Sequence, residues 1–393
     1  MLFSPLIILG ALALVLIASG LLEFRYHQLV LSSIPIRIHV NGTRGKSSVT
    51  RLIAAGLRAG GKRTFAKTTG TAPRVIDSKG IDRIIHRLRR PSIGEQVRLL
   101  KYFSSEKPDV VVMECMAVQP QYQWISEHQM VKSHIGVITN ARPDHLDEMG
   151  PTEVDVVKSL CNSIPVGGTL VTAEHKHKDI LQSVADRNKS EIFFSDESTV
   201  SENDLNKFAY IEHPQNIAIA LDVCHKMGVE RDIALSGMHS VRPDLGALVV
   251  WKLLGKKGSL QFVNGMAAND PVSTLQIWKF VIDRYPTTSG TAVFFNSRDD
   301  RPLRTKQMLE LTFEEIKPEY FIIRGDKIET KVRRLLHHSP DTDVSIFSLN
   351  ESVDNVSESI LSLPDDVLVF AIGNQVGTGQ EILQKLSESR DND

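Results

Sequence analysis

The stretch Ile36-Arg37-Ile38-His39-Val40-Asn41-Gly42-Thr43-Arg44-Gly45-Lys46-Ser47-Ser48 constrains this chain more than any other. A short apolar run gives way to a glycine-bearing turn, and Lys46-Ser47 then opens a helical pattern through Val49, Leu52 and Ile53. That succession suits a phosphate. Glycines let backbone N–H groups approach the oxygens, the helix N-terminus supplies positive potential, lysine adds charge, and a hydroxyl can hold Mg²⁺. Only Thr43 and Arg44 separate Gly42 from Gly45, so the loop is a shortened variant of the usual P-loop. A glycine turn with no phosphate role is the alternative, and the ordered run of strand, Gly, Gly-Lys-Ser and helix argues against it.

Residues 2–22 set a second constraint, because they carry no charge and are dominated by Leu, Ile, Val and Ala. As a helix they span about 31 Å, the thickness of a bilayer's hydrocarbon core. A cleaved signal peptide is the competing reading, with Ala18-Ser19-Gly20 as its small residues, but no Lys or Arg precedes the apolar run as a signal requires. Arg25 and Arg37 follow it instead, which predicts an uncleaved anchor over residues 1–30 with the bulk of the chain in the cytoplasm. The cysteines Cys115, Cys161 and Cys224 show no paired spacing and are expected as free thiols. A net charge of −1 excludes bulk attraction to nucleic acid. His337-His338 and His175/His177 lack neighbouring cysteines in ligand spacing and are expected as solvated surface residues.

From Arg37 to about residue 255, strand and helix patterns alternate, which predicts α/β architecture with a mostly parallel sheet. Strands over residues 109–113 and 135–139 end at Glu114 and Asn140. Ligands bind beyond the carboxyl ends of such strands, so the P-loop, Glu114 and the Asn140 loop can share one cleft. Gly255-Lys256-Lys257-Gly258 reads as a linker, giving a central domain over 31–255 and a smaller Rossmann-like α/β domain over 256–393.

Beside the P-loop, Thr139-Asn140-Ala141-Arg142-Pro143-Asp144-His145-Leu146-Asp147 puts two carboxylates and a histidine in one loop. By spacing alone that loop is either a site or an ordinary polar turn, and Glu114 is either a ligand or a satisfied strand-end carboxylate. Together with His213-Pro214-Gln215-Asn216 before Ala218 and Ala220, these pieces resemble the Mur ligase superfamily of ATP-dependent amide ligases, which includes the folylpolyglutamate synthetases. The resemblance implies a Mur-ligase-like fold and a nucleotide site over Gly42, Thr43, Arg44, Gly45, Lys46, Ser47 and Ser48. It further implies Lys46 on the β/γ-phosphates, Ser47 and Glu114 on one Mg²⁺ (Mn²⁺ serving in its place), Glu114 and His145 on a second, and Asn216 at the adenine.

Within that superfamily the chain is similar, nearly end to end, to the membrane-bound ligase subunits of poly-γ-glutamate synthases. The similarity is carried by the apolar N-terminus, Lys67-Thr68-Thr69-Gly70-Thr71, Ile93-Gly94-Glu95-Gln96, Glu114-Cys115-Met116-Ala117-Val118 and Met149-Gly150-Pro151-Thr152. In the second half it is carried by Asn264-Gly265-Met266-Ala267-Ala268-Asn269-Asp270, Asn296-Ser297-Arg298 with Asp300-Arg301, and Gly373-Asn374. It implies capsule-type synthesis: ATP activates a chain-terminal glutamate as an acyl phosphate, and an incoming glutamate attacks it to extend the poly-γ-glutamate chain. It implies Arg298 and Asp300 reaching the nucleotide as the domains close, where the residues alone allow a charged surface turn equally, and it implies small integral-membrane partner subunits; a homo-oligomer stays open. Departures exist. Asn269 stands where Mur ligases have a histidine, Pro243-Asp244-Leu245-Gly246-Ala247 replaces their Gly-Arg-x-Glu loop, and Lys158 falls short of the spacing of the family's carbamylated lysine. The rival readings are a folylpolyglutamate-synthetase-like ligase and a membrane-tethered nucleotide-binding subunit without turnover.

Overall fold

The computed structural model describes residues 5–70, 73–85, 87, 91–208, 210, 212–241, 250–266, 268, 270–298, 302–326 and 328–391. The chain divides into two compact units, Met1–Phe208 with Glu212–Asp244, and Ala209–Ile211 with Leu245–Asp393.

The first unit is built on an eight-stranded sheet. Its strands are β1 (Ile36–Asn41), β2 (Thr64–Thr68), β3 (Arg74–Ile76), β4 (Asp82–Ile84), β5 (Val110–Glu114), β6 (Ile135–Ile138), β7 (Thr169–Thr172) and β8 (Glu191–Phe194), in the order β4-β3-β2-β5-β1-β6-β7-β8. Pairing is parallel from β2 to β8 and antiparallel along β2-β3-β4. β1 lies between β5 and β6, with Ile38 opposite Val112 on one side and Ile135 on the other. A strand covered on both faces reads as a continuous apolar run, and β1 and β5 are buried along almost their whole length. The chain leaves β1 toward β2 on one side and leaves the adjacent β5 toward β6 on the other, so the crevice between their carboxyl ends is a topological switch point.

Three helices matter to this crevice. Helix α1 (Pro5–Ser32) carries the apolar stretch, α2 (Lys46–Ala59) follows the glycine turn, and α3 (Glu95–Ser105) precedes β5. Residues 7–32 form one helix long and apolar enough to cross a membrane, with mean hydropathy 2.4 over its most apolar window. Its last turns are different, because Val30 and Leu31, with Ile34 just beyond, pack into a core with Phe65, Phe103, Val111 and Met113. Arg37, expected as a juxtamembrane charge, is buried instead. Its guanidinium donates to the carbonyls of Leu31 and Ile34 and, on the other side, of Val131 and Lys132. Those are carbonyls left without partners where helical segments end.

The second unit has a six-stranded sheet of β9 (Val250–Gly255), β10 (Gly258–Asn264), β11 (Thr291–Asn296), β12 (Tyr320–Arg324), β13 (Asp343–Phe347) and β14 (Leu368–Gly373), in the order β13-β12-β11-β14-β10-β9. All pairs are parallel except β9-β10. Alternate residues of β11 enter opposite cores, Val293 and Phe295 on one face and Ala292 and Phe294 on the other, as the period of a strand requires. Gly255-Lys256-Lys257-Gly258, expected as a linker, is the turn of the β9-β10 hairpin, with Gly258 at φ 141°. The run of glycines and lysines signalled a turn, and its pairing partner lay too close in sequence to be read as a linker's far side.

Candidate active site

The turn after β1 needs its glycines. Gly42 has φ 133° and Gly45 φ 81°, and a Cβ on them would come within 2.0 Å of Thr139 Oγ1 and 2.5 Å of Asn216 Oδ1. Asn140, just past β6, clamps the loop. Its Oδ1 accepts from Thr43 Oγ1 at 2.7 Å and from the Arg44 N–H at 3.2 Å, while its Nδ2 donates to the Arg44 carbonyl at 3.1 Å. Thr139 Oγ1 donates to the same carbonyl at 2.6 Å. Lys46 opens α2 and folds back over the turn, donating to the carbonyls of Gly42 at 2.7 Å and Thr43 at 3.2 Å. Burial pulls its pKa below the ordinary lysine value, against the opposing charge of Glu114. Ser48 follows, half-buried on the first turn of α2.

Glu114, 2 % exposed, ends β5 next to this turn. One oxygen accepts from Ser47 Oγ at 2.8 Å and from the Thr69 N–H at 2.6 Å, and the other accepts from Thr69 Oγ1 at 2.5 Å. Ser47 and Glu114, expected to share a cation, are thus already together. A hydroxyl and a carboxylate are hard oxygen donors that suit Mg²⁺ or Mn²⁺, whose remaining positions phosphate and water complete. His145 is set apart from them. It sits in a left-handed conformation (φ 49°), its side chain is 52 % exposed, and Nε2 is 3.9 Å from Asp144 Oδ2. Asp144 in turn faces Arg44 Nη2 at 3.4 Å. Among the described residues no three His, Cys, Asp or Glu side chains form a metal cluster. Lys46, Thr69, Arg87, Cys115, Asp144 and His145 nevertheless line one cavity of about 370 Å³.

Asn216 lies at the start of the helix Pro214–Lys226, with its Oδ1 against Gly45 and its Nδ2 donating to Glu212 at 2.7 Å. Arg298 stands in the second unit, lining a pocket of about 180 Å³ with Asn296, Arg304 and Asn374. Asp300, Asn269 and residues 243–247 lie outside the described residues. Lys158 is exposed on the helix Glu153–Leu160, in keeping with an ordinary helix lysine. His177 departs from the expected solvated surface: its Nδ1 lies 3.2 Å from Glu174 Oε1, and Glu174 also accepts the Ala141 N–H at 3.0 Å, bracing the loop after β6. Sequence reasoning assigned no role to Thr69, Lys67, Glu95 or Arg87. The stretches Lys67-Thr68-Thr69-Gly70-Thr71 and Ile93-Gly94-Glu95-Gln96 carried the family similarity, but nothing local in them pointed to a role.

Residues 40–251 match the Mur ligase middle domain, and residues 250–389 match the poly-gamma-glutamate synthase CapB C-terminal domain. The chain is 33 % identical to the PGA synthase CapB of Bacillus subtilis (strain 168), covering 95 % of this chain and 96 % of that protein. It is 39 % identical to the capsule biosynthesis protein CapB of Bacillus anthracis, over 83 % and 70 % of the two chains. Its fold is similar to that of E. coli FolC in complex with DHPP and ADP, with a TM-score of 0.67 at 16 % identity over 92 % and 91 % of the two chains. The phosphate turn, the paired Ser47 and Glu114 and the two matched domains together make this chain a member of the Mur ligase superfamily, in its CapB branch.

Proposed function

We propose that this protein is an ATP-dependent amide ligase that joins glutamate through γ-linkages, extending poly-γ-glutamate with release of ADP and phosphate. The observation that carries the reading is the meeting of Ser47 and Glu114 at 2.8 Å beside Lys46, at the ends of neighbouring strands of a Mur ligase fold.

The chemistry follows from leaving-group ability. A carboxylate oxygen leaves poorly, so the chain's terminal γ-carboxylate attacks the γ-phosphorus of ATP and ADP departs, leaving an acyl phosphate. The amine of an incoming glutamate, having lost its proton, attacks the acyl carbon, and phosphate leaves as the amide forms. Lys46 swings from the Gly42 and Thr43 carbonyls to the β/γ-phosphates and offsets their charge. The turn's N–H groups, held in register by Asn140, grip the phosphates, and Asn216 beside Gly45 meets the adenine. Ser47 and Glu114 would hold Mg²⁺, which neutralises charge on the transferring phosphoryl oxygens when bound. Thr69 fixes the Glu114 carboxylate that would do so. His145, on the same cavity, reaches a second cation only by rotating inward from its exposed position.

Helix α1 anchors the chain in a membrane with both units on the cytoplasmic side. Its apolar stretch has the length for a span, and Arg25 follows that stretch. The polymer must then leave the cytoplasm, and one helix cannot enclose a pore, so small integral-membrane subunits accompany it.

The test is glutamate-dependent release of ADP and phosphate by full-length protein in membranes, with γ-linked product followed by size. Lys46→Ala should lower turnover by at least about a thousandfold. Undiminished polymer formation by that variant would sink the assignment of the site. Release of ADP only on addition of a folate acceptor would redirect the activity to folate extension.

A further inference from the structure

The cavity that holds Lys46 is also lined by Arg87, which the reaction as described leaves unused. Arg87 is locked in place, since its Nε and Nη2 donate to the two oxygens of Glu95 at 2.7 and 2.9 Å. An arginine bound in this bidentate way to a carboxylate forms a neutral pair with little attraction for another anion. Here the carboxylate is shared. Lys67 Nζ, on β2, lies 3.5 Å from Glu95 Oε1, and the lysine side chain is 0 % exposed. Its Nζ also lies 3.7 Å from Met116 Sδ, a weak acceptor, and feels the charge of Glu114.

Lys67 and Arg87 flank Glu95, and Lys46 and Lys67 both feel Glu114, so three cations against two carboxylates leave one net positive charge. The side chains of Lys67 and Glu95 are 0 % and 7 % exposed and that of Arg87 is 21 % exposed, so it is Arg87 that presents this charge to the cavity. Glu95 occupies two sides of the guanidinium fork, and among the described residues no other hydrogen-bond acceptor meets it, so its remaining N–H groups can take a second carboxylate. A purely structural tie between β2 and α3 needs only the Lys67–Glu95 pair, which is neutral and buried. Adding an arginine on the cavity side makes sense when an anion is to be held there. The phosphates of a nucleotide already have the glycine turn, Lys46 and the helix N-terminus. A γ-linked glutamate chain, by contrast, keeps one free α-carboxylate per residue.

We propose that Arg87 is a carboxylate anchor for the γ-linked glutamate chain, given its net charge by the buried Lys67–Glu95 pair, with Lys67 as the positioning residue behind it. This rests on the poly-γ-glutamate reading above. The anchor holds an α-carboxylate of the chain so that the terminal γ-carboxylate stays beside the phosphate turn.

Full-length protein in detergent or nanodiscs is assayed for ADP release, first with γ-linked glutamate oligomers varied at saturating ATP, then with ATP varied at saturating oligomer. Arg87→Ala raises the oligomer KM about ten- to a hundredfold and leaves the ATP KM within about twofold. Arg87→Lys recovers part of the loss, since it keeps the charge without the fork. Lys67→Met, close in size but uncharged, produces the same selective rise with Arg87 intact. If that buried substitution abolishes ADP binding through misfolding, the two Arg87 variants decide alone. An unchanged oligomer KM in Arg87→Ala overturns the proposal, and so does a rise confined to the ATP KM. If wild-type protein releases no ADP with any γ-linked oligomer, the ligase reading fails separately. Equilibrium dialysis of labelled oligomer against wild type and Arg87→Ala then still decides the anchor, with equal binding refuting it.

Discussion

His39 sits in the middle of β1 with none of its side chain in contact with water. Its Nδ1 is 2.8 Å from Glu127 Oε2, and the other oxygen of Glu127 accepts the N–H and hydroxyl of Ser133. Burial alone would strip the imidazole of its added proton, but Cys115 and Glu127 together raise its pKa to about 10. The folded value thus stands above the ordinary histidine value near 6.5. Its contribution to stability is fully present below that ordinary value and is lost as pH rises through about 10. Unfolding by denaturant should therefore become easier between about pH 6 and pH 10, by something on the order of 3 kcal/mol, and His39→Gln should flatten that slope. Equal slopes for the two proteins would show that the pair does not carry a proton in the fold. Nothing in the sequence marked His39, because its partner lies beyond four intervening strands and is brought in only by folding. Lys46, Ser47 and Glu114 were legible, since a local motif and a strand end announce them. The Asn140 clamp and the Thr69 contacts to Glu114 were not, because a hydrogen bond between residues far apart in the chain leaves no local pattern.

At the scale of elements, α1 is the instructive case. The uncharged run over residues 2–22 was legible as a spanning segment, but its helix continues to Ser32 and changes role on the way. The residues beyond the run, among them His27, Val30 and Leu31, face protein, with His27 Nε2 2.8 Å from the Met130 carbonyl. The periodicity changes from apolar all round to one-sided, a weak signal over so few turns. The aromatic residues Phe24 and Tyr26 mark the change, with Lys132 and Lys101 stacked over their rings. An expected boundary near residue 30 therefore cuts through the core of the first unit. Removing residues 2–22 should leave a folded protein that binds ADP, whereas removal through residue 34 should abolish binding. Leu31→Ala should cost about 2–4 kcal/mol of stability, read from denaturant unfolding in detergent. If the longer deletion binds ADP as well as the shorter, the last turns of α1 are a tether and no part of the core.

For the whole molecule, the alternation of strand and helix patterns made both α/β units legible, while their sheet orders were not, since strand order is decided by contacts distant in sequence. Each unit has its own sheet and its own buried clusters, so each folds around its own core. Helix α1 belongs to the first of them, through α3 and β5. The apolar turns before residue 23 stand outside that core, so the role of α1 can be tested without disturbing the candidate site. Large apolar side chains such as Leu9, Leu12, Leu16 and Leu21 stand exposed around its apolar turns among the described residues. Lipid satisfies such a surface, and so do other apolar helices. The export proposed above demands the second arrangement, because a charged chain cannot cross hydrocarbon without a lined path. Replacing residues 7–22 with an unrelated apolar helix of equal length keeps the span and leaves Val30, Leu31 and Ile34 in place. ADP binding should then match wild type, and glutamate-dependent ADP release should persist. Polymer outside the cell, or polymer length in reconstituted membranes, should fall by about tenfold or more if specific helix contacts are lost. If export and length both match wild type, α1 serves only as a greasy tether, and the partners must bind elsewhere on the chain.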